Sequence, residues 1–299
     1  MKELIVIGGP TASGKTALSV SLAKRWNTIV LSADSRQFYK EMSIGTAKPT
    51  SEEMQGVPHY FIDSHSVEDE VNAARFANEA EILLSDLFQQ YDRIILTGGS
   101  GMFIDALCYG LDEIPHDPIV QQQLNQAFEQ EGLEPLLWEL EQKDPEFYSI
   151  VDRNNPVRVI RALEAIRITG LPYSSLRKGT KKQHSYVIRY FVIDVPRDVL
   201  YERINLRVDQ MIENGLEAET KALFPHRQLK PLATVGYAEW FRYFDGEIDR
   251  ETCIELIKQN SRRYAKRQIT WFKRNEEAVW VPFGAIEEMQ QEIIAESDK

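Results

Sequence analysis

The chain has 299 residues, of which 43% are hydrophobic and 27% charged, a composition typical of one large globular domain or of a domain with an insertion. No apolar run approaches the roughly 18 residues of a membrane helix, so we expect no membrane partner. Met1-Lys2-Glu3 leads directly into a short apolar run, which argues against a secretory leader. The two cysteines lie far apart and the five histidines form no metal-binding pattern, which indicates a cytoplasmic protein without disulfides or structural zinc.

The net charge of −11 is unevenly distributed along the chain. Windows 153–182 and 258–274 each carry a net charge of +7, so the remainder carries −25. Two such windows on an acidic protein favour a local binding surface for a polyanion, although each window alone is also compatible with a solvated helix face.

The first third of the chain alternates between predicted strands and helices. Continuous apolar or β-branched runs at 4–7, 28–31 and 93–97 predict buried parallel strands. Helical spacing of apolar residues predicts helices at 15–26 and 71–90. This order predicts an α/β core with a parallel sheet.

The alternation stops after about residue 112, where only helical segments and then a Lys/Arg-rich loop at 177–182 follow. The strand pattern returns at 186–195, and we therefore predict a helical insertion, 113–185, within a core formed by 1–112 and 186–299. The remaining predicted elements are helices at 119–130, 135–142, 156–169, 197–213 and 251–274, a strand near 279–281 and a closing helix.

A glycine-rich phosphate-binding loop follows the first strand. The run Gly9-Pro10-Thr11-Ala12-Ser13-Gly14-Lys15-Thr16 fits the pattern G-x-x-x-x-G-K-[ST] between a predicted strand and helix. Its backbone amides and the helix N-terminus favour an anion, Lys15 supplies a cation, and the Thr16 hydroxyl is a candidate Mg²⁺ ligand. The predicted fold is thus a P-loop NTPase-like parallel sheet flanked by helices, with an all-helical insertion domain.

The second strand leads into Asp34-Ser35-Arg36-Gln37, at the edge where open α/β sheets bind ligands. Asp34 could ligate a metal, accept a proton or cap a turn, and Gln37 could read an adenine edge or lie on the surface. The third strand ends in Gly98-Gly99-Ser100-Gly101 without the acid expected of a kinase, and no NKxD motif of a GTPase occurs. Phosphoryl transfer is therefore not required by the P-loop.

Six blocks together resemble the tRNA dimethylallyltransferase (tRNA isopentenyltransferase) family, and they occur in that family's order across residues 4 to about 281. They are GPTASGKT at 9–16, DSRQFY at 34–39, IGTAKP at 44–49, GGSG at 98–101, RVIRALE at 158–164 and YAKRQITWF at 264–272.

The resemblance implies transfer of a dimethylallyl group from dimethylallyl diphosphate to N6 of the adenosine 3′ to the tRNA anticodon, position 37, with Mg²⁺ and release of pyrophosphate. It implies that residues 9–16 hold the diphosphate together with Arg207, which on composition alone would read as a solvated helix arginine. Asp34 would be the general base, and Thr11 would direct its hydroxyl at the leaving oxygen.

The resemblance also implies a set of contacts to the anticodon stem-loop. In addition to Asp34, these are Ser35, Arg36, Gln37, Ser100, Val157, Arg158, Val159, Ile160, Arg161, Thr234, Val235, Gly236, Tyr237, Lys266, Arg267, Gln268, Thr270 and Lys273. The basic loop adds Lys181 and Lys182 on charge grounds. We expect a monomer, because the tRNA has to be gripped between two parts of one chain.

Three other functions are compatible with the motifs. A prenyltransferase acting on free AMP or ADP would need no basic windows, and neither would a small-molecule P-loop kinase. A nucleotide-gated RNA-binding switch would hydrolyse its nucleotide slowly and leave the RNA unmodified. The predicted insertion and the two basic windows favour RNA as the acceptor.

Overall fold

All six strands of the described residues join in one parallel sheet in the computed structural model. In chain order they are β1 (Glu3–Gly8), β2 (Val30–Ser32), β3 (His59–Tyr60), β4 (Arg93–Gly98), β5 (Val187–Asp194) and β6 (Val279–Pro282). Their spatial order is β3-β2-β4-β1-β5-β6, and every neighbouring pair is parallel. The P-loop strand β1 therefore lies in the interior of the sheet, as its fully buried apolar run predicts.

Helices account for most of the remaining described residues. The first four are α1 (Lys15–Trp26), α2 (Ser51–Met54), α3 (Ala73–Gln90) and α4 (Gly101–Tyr109). The next five are α5 (Pro118–Glu131), α6 (Glu134–Lys143), α7 (Pro145–Ile150), α8 (Pro156–Thr169) and α9 (Tyr173–Leu176). The last five are α10 (Arg197–Glu213), α11 (Leu216–Leu223), α12 (Ala238–Phe244), α13 (Arg250–Phe272) and α14 (Ile286–Ser297).

Local sequence signals explain where the long helices begin and end. The side chains of Asn72, Asn155 and Asp249 accept hydrogen bonds from the first turns of α3, α8 and α13. Helix α8 also has proline in its first turn, and it is followed by Gly170, which adopts a left-handed conformation. By contrast, α1 has no side-chain cap, so its N-terminal amides lie open to a ligand.

The structure describes residues 1–179 and 181–297, so that Thr180 of the predicted basic loop lies outside the described residues. The chain divides into two units, one formed by Met1–Cys108 with Gln183–Lys299 and the other by Tyr109–Lys182. The first unit contains the sheet, and α5 to α9 form the second around a separate apolar core that includes Leu140, Val159 and Leu163.

The predicted fold class, a parallel sheet flanked by helices, is confirmed. The sequence-based prediction omitted β3 and the helices α2, α4, α7, α9, α11 and α12, all of which are nine residues or shorter. Within the described residues, no helix combines the length and apolar character needed to cross a membrane.

Candidate active site

The P-loop turns at residues with a positive φ. β1 ends at Gly8 and α1 begins at Lys15, and between them Gly9, Ala12 and Gly14 have φ values of 151°, 63° and 90°. Glycine adopts this region freely, whereas alanine loses about 1 kcal/mol there. The loop is therefore strained at Ala12 and needs support from outside the motif.

Two side chains from distant helices support this loop. Arg203 of α10 donates a hydrogen bond from Nε to the Ala12 carbonyl oxygen at 2.7 Å. Gln268 of α13 accepts one from the Thr11 amide at 2.9 Å and donates one to the Gly99 carbonyl oxygen at 2.9 Å. Through these two hydrogen bonds Gln268 joins the P-loop to the end of β4. Gln268 is only 5% exposed, and this burial does not fit its predicted contact with RNA.

Lys15 lies within the curve of the loop. Its Nζ donates hydrogen bonds to the Pro10 carbonyl oxygen at 2.7 Å and to Ser13 Oγ at 3.5 Å. Removal from bulk water lowers the pKa of Lys15 to about 7; the Asp34 carboxylate opposes this shift, and the Arg207 guanidinium adds to it. The amine is therefore poised to gain a proton when an anion enters.

Asp34 and Ser35 lie directly beyond the carboxyl end of β2. Asp34 Oδ1 accepts a hydrogen bond from the Arg36 amide at 3.1 Å, which leaves its second oxygen for a ligand. Ser100, beyond the neighbouring strand β4, accepts a hydrogen bond from the Ser35 amide at 3.0 Å and donates one to Ser35 Oγ at 3.1 Å. The structure thus brings these predicted site residues together at one edge of the sheet.

Gln37 and Arg207 share a backbone partner. Gln37 Nε2 donates hydrogen bonds to the carbonyl oxygens of Thr46 and Ala47 at 3.4 and 3.2 Å, and Gln37 Oε1 accepts one from Ser32 Oγ at 3.3 Å. Arg207 Nη2 donates to the Thr46 carbonyl oxygen at 3.4 Å. Burial lowers the pKa of Arg207, while the carboxylate charges of Asp34 and Glu53 raise it. The segment 43–48 therefore orients both side chains.

A cavity of about 850 Å³ joins these groups. Its polar part contains Lys15, Asp34 and Arg207, and its other walls include apolar side chains that belong to a neighbouring core cluster. These apolar residues are Ile44, Val208, Met211, Val235 and Ile257. The predicted site residues that line the cavity are Thr11, Ala12, Ser13, Gly14, Lys15, Thr16, Asp34, Arg36, Gln37, Arg207, Thr234, Val235, Gly236 and Gln268.

Glu219 of α11 binds the segment 43–48, whose carbonyl groups accept the hydrogen bonds of Gln37 and Arg207. Its carboxylate accepts hydrogen bonds from the amides of Ser43, Ile44 and Gly45 at 3.1, 2.8 and 3.0 Å. It also accepts one from the Tyr237 hydroxyl at 2.6 Å. Tyr237 is fully buried, and this burial raises the pKa of its hydroxyl, so it stays a donor. The predicted direct contact of Tyr237 with RNA does not fit this position.

The exposed side of α13 carries the second basic window. Lys266, Arg267, Thr270 and Lys273 are all exposed. The Arg267 guanidinium lies over the ring of Tyr264, 5.6 Å from its centroid. These side chains are accessible to a polyanion, and their contact with RNA stays a prediction.

In the second unit, the residues predicted to contact RNA divide into exposed and buried ones. Val157 and Arg158 are exposed at the start of α8, whereas Val159 and Ile160 are 0% and 5% exposed in the unit's core. Burial of the last two does not fit the predicted contact. The Arg161 guanidinium donates hydrogen bonds within the unit. Its partners are the Glu164 carboxylate at 2.7 Å and the carbonyl oxygens of Ile114 and Pro115, both at 2.8 Å.

The lysine pair of the basic loop is exposed. Lys181 Nζ lies over the ring of Tyr109 at 5.1 Å from its centroid, and the Lys182 amide donates a hydrogen bond to the Tyr109 carbonyl oxygen at 2.9 Å. The contact of both side chains with a phosphate backbone stays a prediction.

Three residues at this site escaped the sequence analysis. Arg203 precedes Arg207 by one helical turn on α10, and that spacing is a signal that could have identified it. Tyr264 lines the cavity, where burial and the Asp34 carboxylate raise its pKa to about 12. Glu219 has no such signal, because the backbone amides that it binds lie more than 170 positions earlier in the chain.

Thr16, the predicted Mg²⁺ ligand, lines the cavity beside Lys15. No group of three or more His, Cys, Asp or Glu side chains suited to a metal occurs within residues 1–179 and 181–297.

Comparisons of the sequence give consistent matches. A family model described as IPP transferase matches residues 37–275. A tRNA dimethylallyltransferase from Cytophaga hutchinsonii is 50% identical over 289 residues, which are 96% of this chain and 95% of the relative. The tRNA dimethylallyltransferase 1 of Bacteroides fragilis is 48% identical over 93% of each chain.

Solved structures give the same result. A tRNA isopentenylpyrophosphate transferase from Bacillus halodurans is 36% identical with a TM-score of 0.74, and the match covers 100% of this chain and 96% of the other. A eukaryotic dimethylallyltransferase acting on tRNA is 25% identical with a TM-score of 0.82, over 100% of this chain and 79% of the other.

Proposed function

The chain belongs to the IPP transferase family, and we propose that it transfers a dimethylallyl group from dimethylallyl diphosphate to N6 of adenosine 37 in tRNA. The observation that carries this proposal is the joint position of Lys15, Asp34 and Arg207 around one cavity. An anion cradle and a carboxylate beside it are what an alkylation with a diphosphate leaving group requires.

The P-loop and Arg207 hold the diphosphate. Backbone amides of residues 12–16 and the N-terminus of α1 bind its oxygens, and protonated Lys15 neutralises charge that grows as the C–O bond breaks. The Arg207 fork contributes a second cation from α10. The Thr11 hydroxyl donates a hydrogen bond to the bridging oxygen of the diphosphate. The main chain of Thr11 is held by the hydrogen bond from its amide to Gln268.

Thr16 is the protein ligand that would hold Mg²⁺ together with the phosphates. When bound, the ion neutralises negative charge on the departing pyrophosphate. The chain's own cations, Lys15 and Arg207, act on the same charge from the protein side.

Asp34 acts on the acceptor amine. The N6 nitrogen forms a bond to the allylic carbon as the bond from that carbon to the diphosphate oxygen breaks, and the N6 proton passes to Asp34. Gln37 binds the edge of the adenine, which has to leave the anticodon stack to reach this cavity. Ser35 and Arg36 bind the neighbouring part of the tRNA.

Exposed basic side chains of α13, α8 and the lysine pair Lys181–Lys182 bind the phosphate backbone of the anticodon stem-loop. We also propose a cytoplasmic location, which membership of a tRNA-modifying enzyme family suggests, and a monomeric state.

The test offers labelled dimethylallyl diphosphate and Mg²⁺ with unmodified tRNA, with AMP or with ATP. Label on tRNA, lost when adenosine 37 is replaced by guanosine, is the expected result. Label on AMP alone would reassign the acceptor, and phosphate transfer from ATP to a small molecule would replace the proposal by a kinase.

A further inference from the structure

Glu219 lies outside every motif of the sequence, yet it organises a segment of the cavity wall. Three consecutive amides, those of Ser43, Ile44 and Gly45, donate hydrogen bonds to its carboxylate within 3.1 Å. Hydrogen bonds to an ionised acceptor are about twice as strong as neutral ones, so this carboxylate fixes the backbone of the segment firmly.

Tyr237 completes this arrangement on the side of the buried core. Its hydroxyl donates to the same carboxylate, and its ring lies so close to Gly45 that a Cβ there would be 2.5 Å from a ring carbon. The segment is therefore held by Glu219 and packed against Tyr237 without space for a side chain at position 45.

The far end of the same segment contacts the groups proposed to bind the substrates. The carbonyl oxygens of Thr46 and Ala47 accept hydrogen bonds from Gln37, and that of Thr46 accepts one from Arg207. The side chain of Ile44 lines the cavity. A shift of this short segment would move the adenine-facing and the diphosphate-facing side chains together.

We propose that Glu219 is a positioning residue for prenyl transfer, which through the amides of 43–45 sets the carbonyl groups that orient Gln37 and Arg207. The expected effect of Glu219 on turnover rests on the proposed function. The expected effect of Glu219 on Arg207 does not rest on it, because pyrophosphate binding can be measured without any transfer.

The principal variant is Glu219→Gln, which keeps the size of the side chain but replaces one acceptor oxygen by a donor that opposes the backbone amides. Loss of one or more charge-assisted hydrogen bonds should weaken binding of inorganic pyrophosphate by about fivefold or more and lower kcat by about tenfold or more. Glu217→Gln is the matched control on the same helix, since the Glu217 carboxylate accepts a hydrogen bond from the exposed Arg250 at 3.0 Å and Glu217 is not among the residues that line the cavity.

Tyr237→Phe is a milder second variant, because it removes one donor to Glu219 and leaves the three amide contacts. We expect a change of about twofold to threefold in pyrophosphate affinity and kcat, between those of the control and of Glu219→Gln. The measurements are calorimetric titration with pyrophosphate, steady-state kcat and KM on tRNA, and the thermal midpoint of each variant.

A folded Glu219→Gln protein with wild-type pyrophosphate affinity and kcat would overturn the proposal. A lower thermal midpoint with unchanged pyrophosphate affinity and KM would also overturn it, since it would make Glu219 a purely structural residue. Should Glu219→Gln fail to fold, Tyr237→Phe decides, and wild-type values for it would refute the inference. Failure of the wild type to modify tRNA would instead remove the proposed function, while the pyrophosphate titrations still test the link from Glu219 to Arg207.

Discussion

The depressed pKa of Lys15 makes donor binding depend on pH. In the free protein the surrounding side chains and backbone remove the amine from water, which lowers its pKa from 10.5 to about 7. A bound diphosphate places several negative charges beside the amine, and this favours the protonated form. Donor binding should therefore take up a proton whenever the free amine is neutral, which is above the folded pKa.

The size of the effect follows from the titration of a single group with a pKa near 7. At about pH 8 only about one-tenth of the free protein carries a proton on Lys15, and at about pH 6 about nine-tenths does. If the bound amine is fully protonated, uptake is about 0.9 proton near pH 8 and about 0.1 near pH 6. The affinity for the donor should fall about tenfold between these two conditions.

Calorimetric titration in buffers with different heats of ionisation measures this uptake directly. Lys15→Arg is the matched control, because a guanidinium keeps the cation but remains charged throughout this range. Subtracting the proton uptake of the variant from that of the wild type removes the contribution of protons that the donor itself binds or releases. Equal uptake by both proteins near pH 8 would mean that Lys15 is already charged in the free protein, and the reasoning from its burial would be refuted.

Three further predictions test the remaining parts of the site. Asp34→Ala should lower turnover by about 10²-fold or more while the tRNA dissociation constant stays nearly constant, and a normal single-turnover rate would contradict its role as base. Replacing Lys181 and Lys182 by alanine should reduce the slope of log affinity against log salt by about one to two, whereas an unchanged slope would mean that this pair does not contact phosphate. Gly99→Ala should lower turnover, because its Cβ would lie 2.2 Å from Gln268 Nε2. Adding Gln268→Ala to the same chain should recover part of the lost turnover. If the two losses simply add, this contact is disproved.

Most of the fold was predictable because its central strands are apolar runs that are buried in a parallel sheet. β1 and β4 have this pattern. The two-residue strand β3 does not, since His59 is half-buried and Tyr60 is exposed. Helix α11 also escaped prediction because only eight residues follow the left-handed turn at Gly215. Short elements depend on tertiary contacts that periodicity does not contain.

The site was predictable where its residues are consecutive. The P-loop and Asp34 follow strands directly, so their position follows from the strand order. Gln268 belongs to the block at 264–272, and Tyr237 to the stretch 234–237 that the resemblance implies to contact RNA. A polar side chain near a site can face a substrate or a backbone, however, and the sequence does not distinguish the two. The structure assigns both to the protein's own interior contacts.

The C-terminal helices determine the geometry of motifs that lie near the N-terminus. Arg203, Glu219 and Gln268 come from α10, α11 and α13, and each forms hydrogen bonds with the main chain of a turn that lines the cavity or adjoins it. Replacing any of the three should lower activity even if that residue does not contact a substrate, because each one holds a strained or irregular turn in place. Substitutions at these positions should therefore change kcat and KM together rather than abolish one chemical step. On this view the P-loop sequence supplies the amides and the cation, and the helices that follow in the chain make it a site for alkyl transfer.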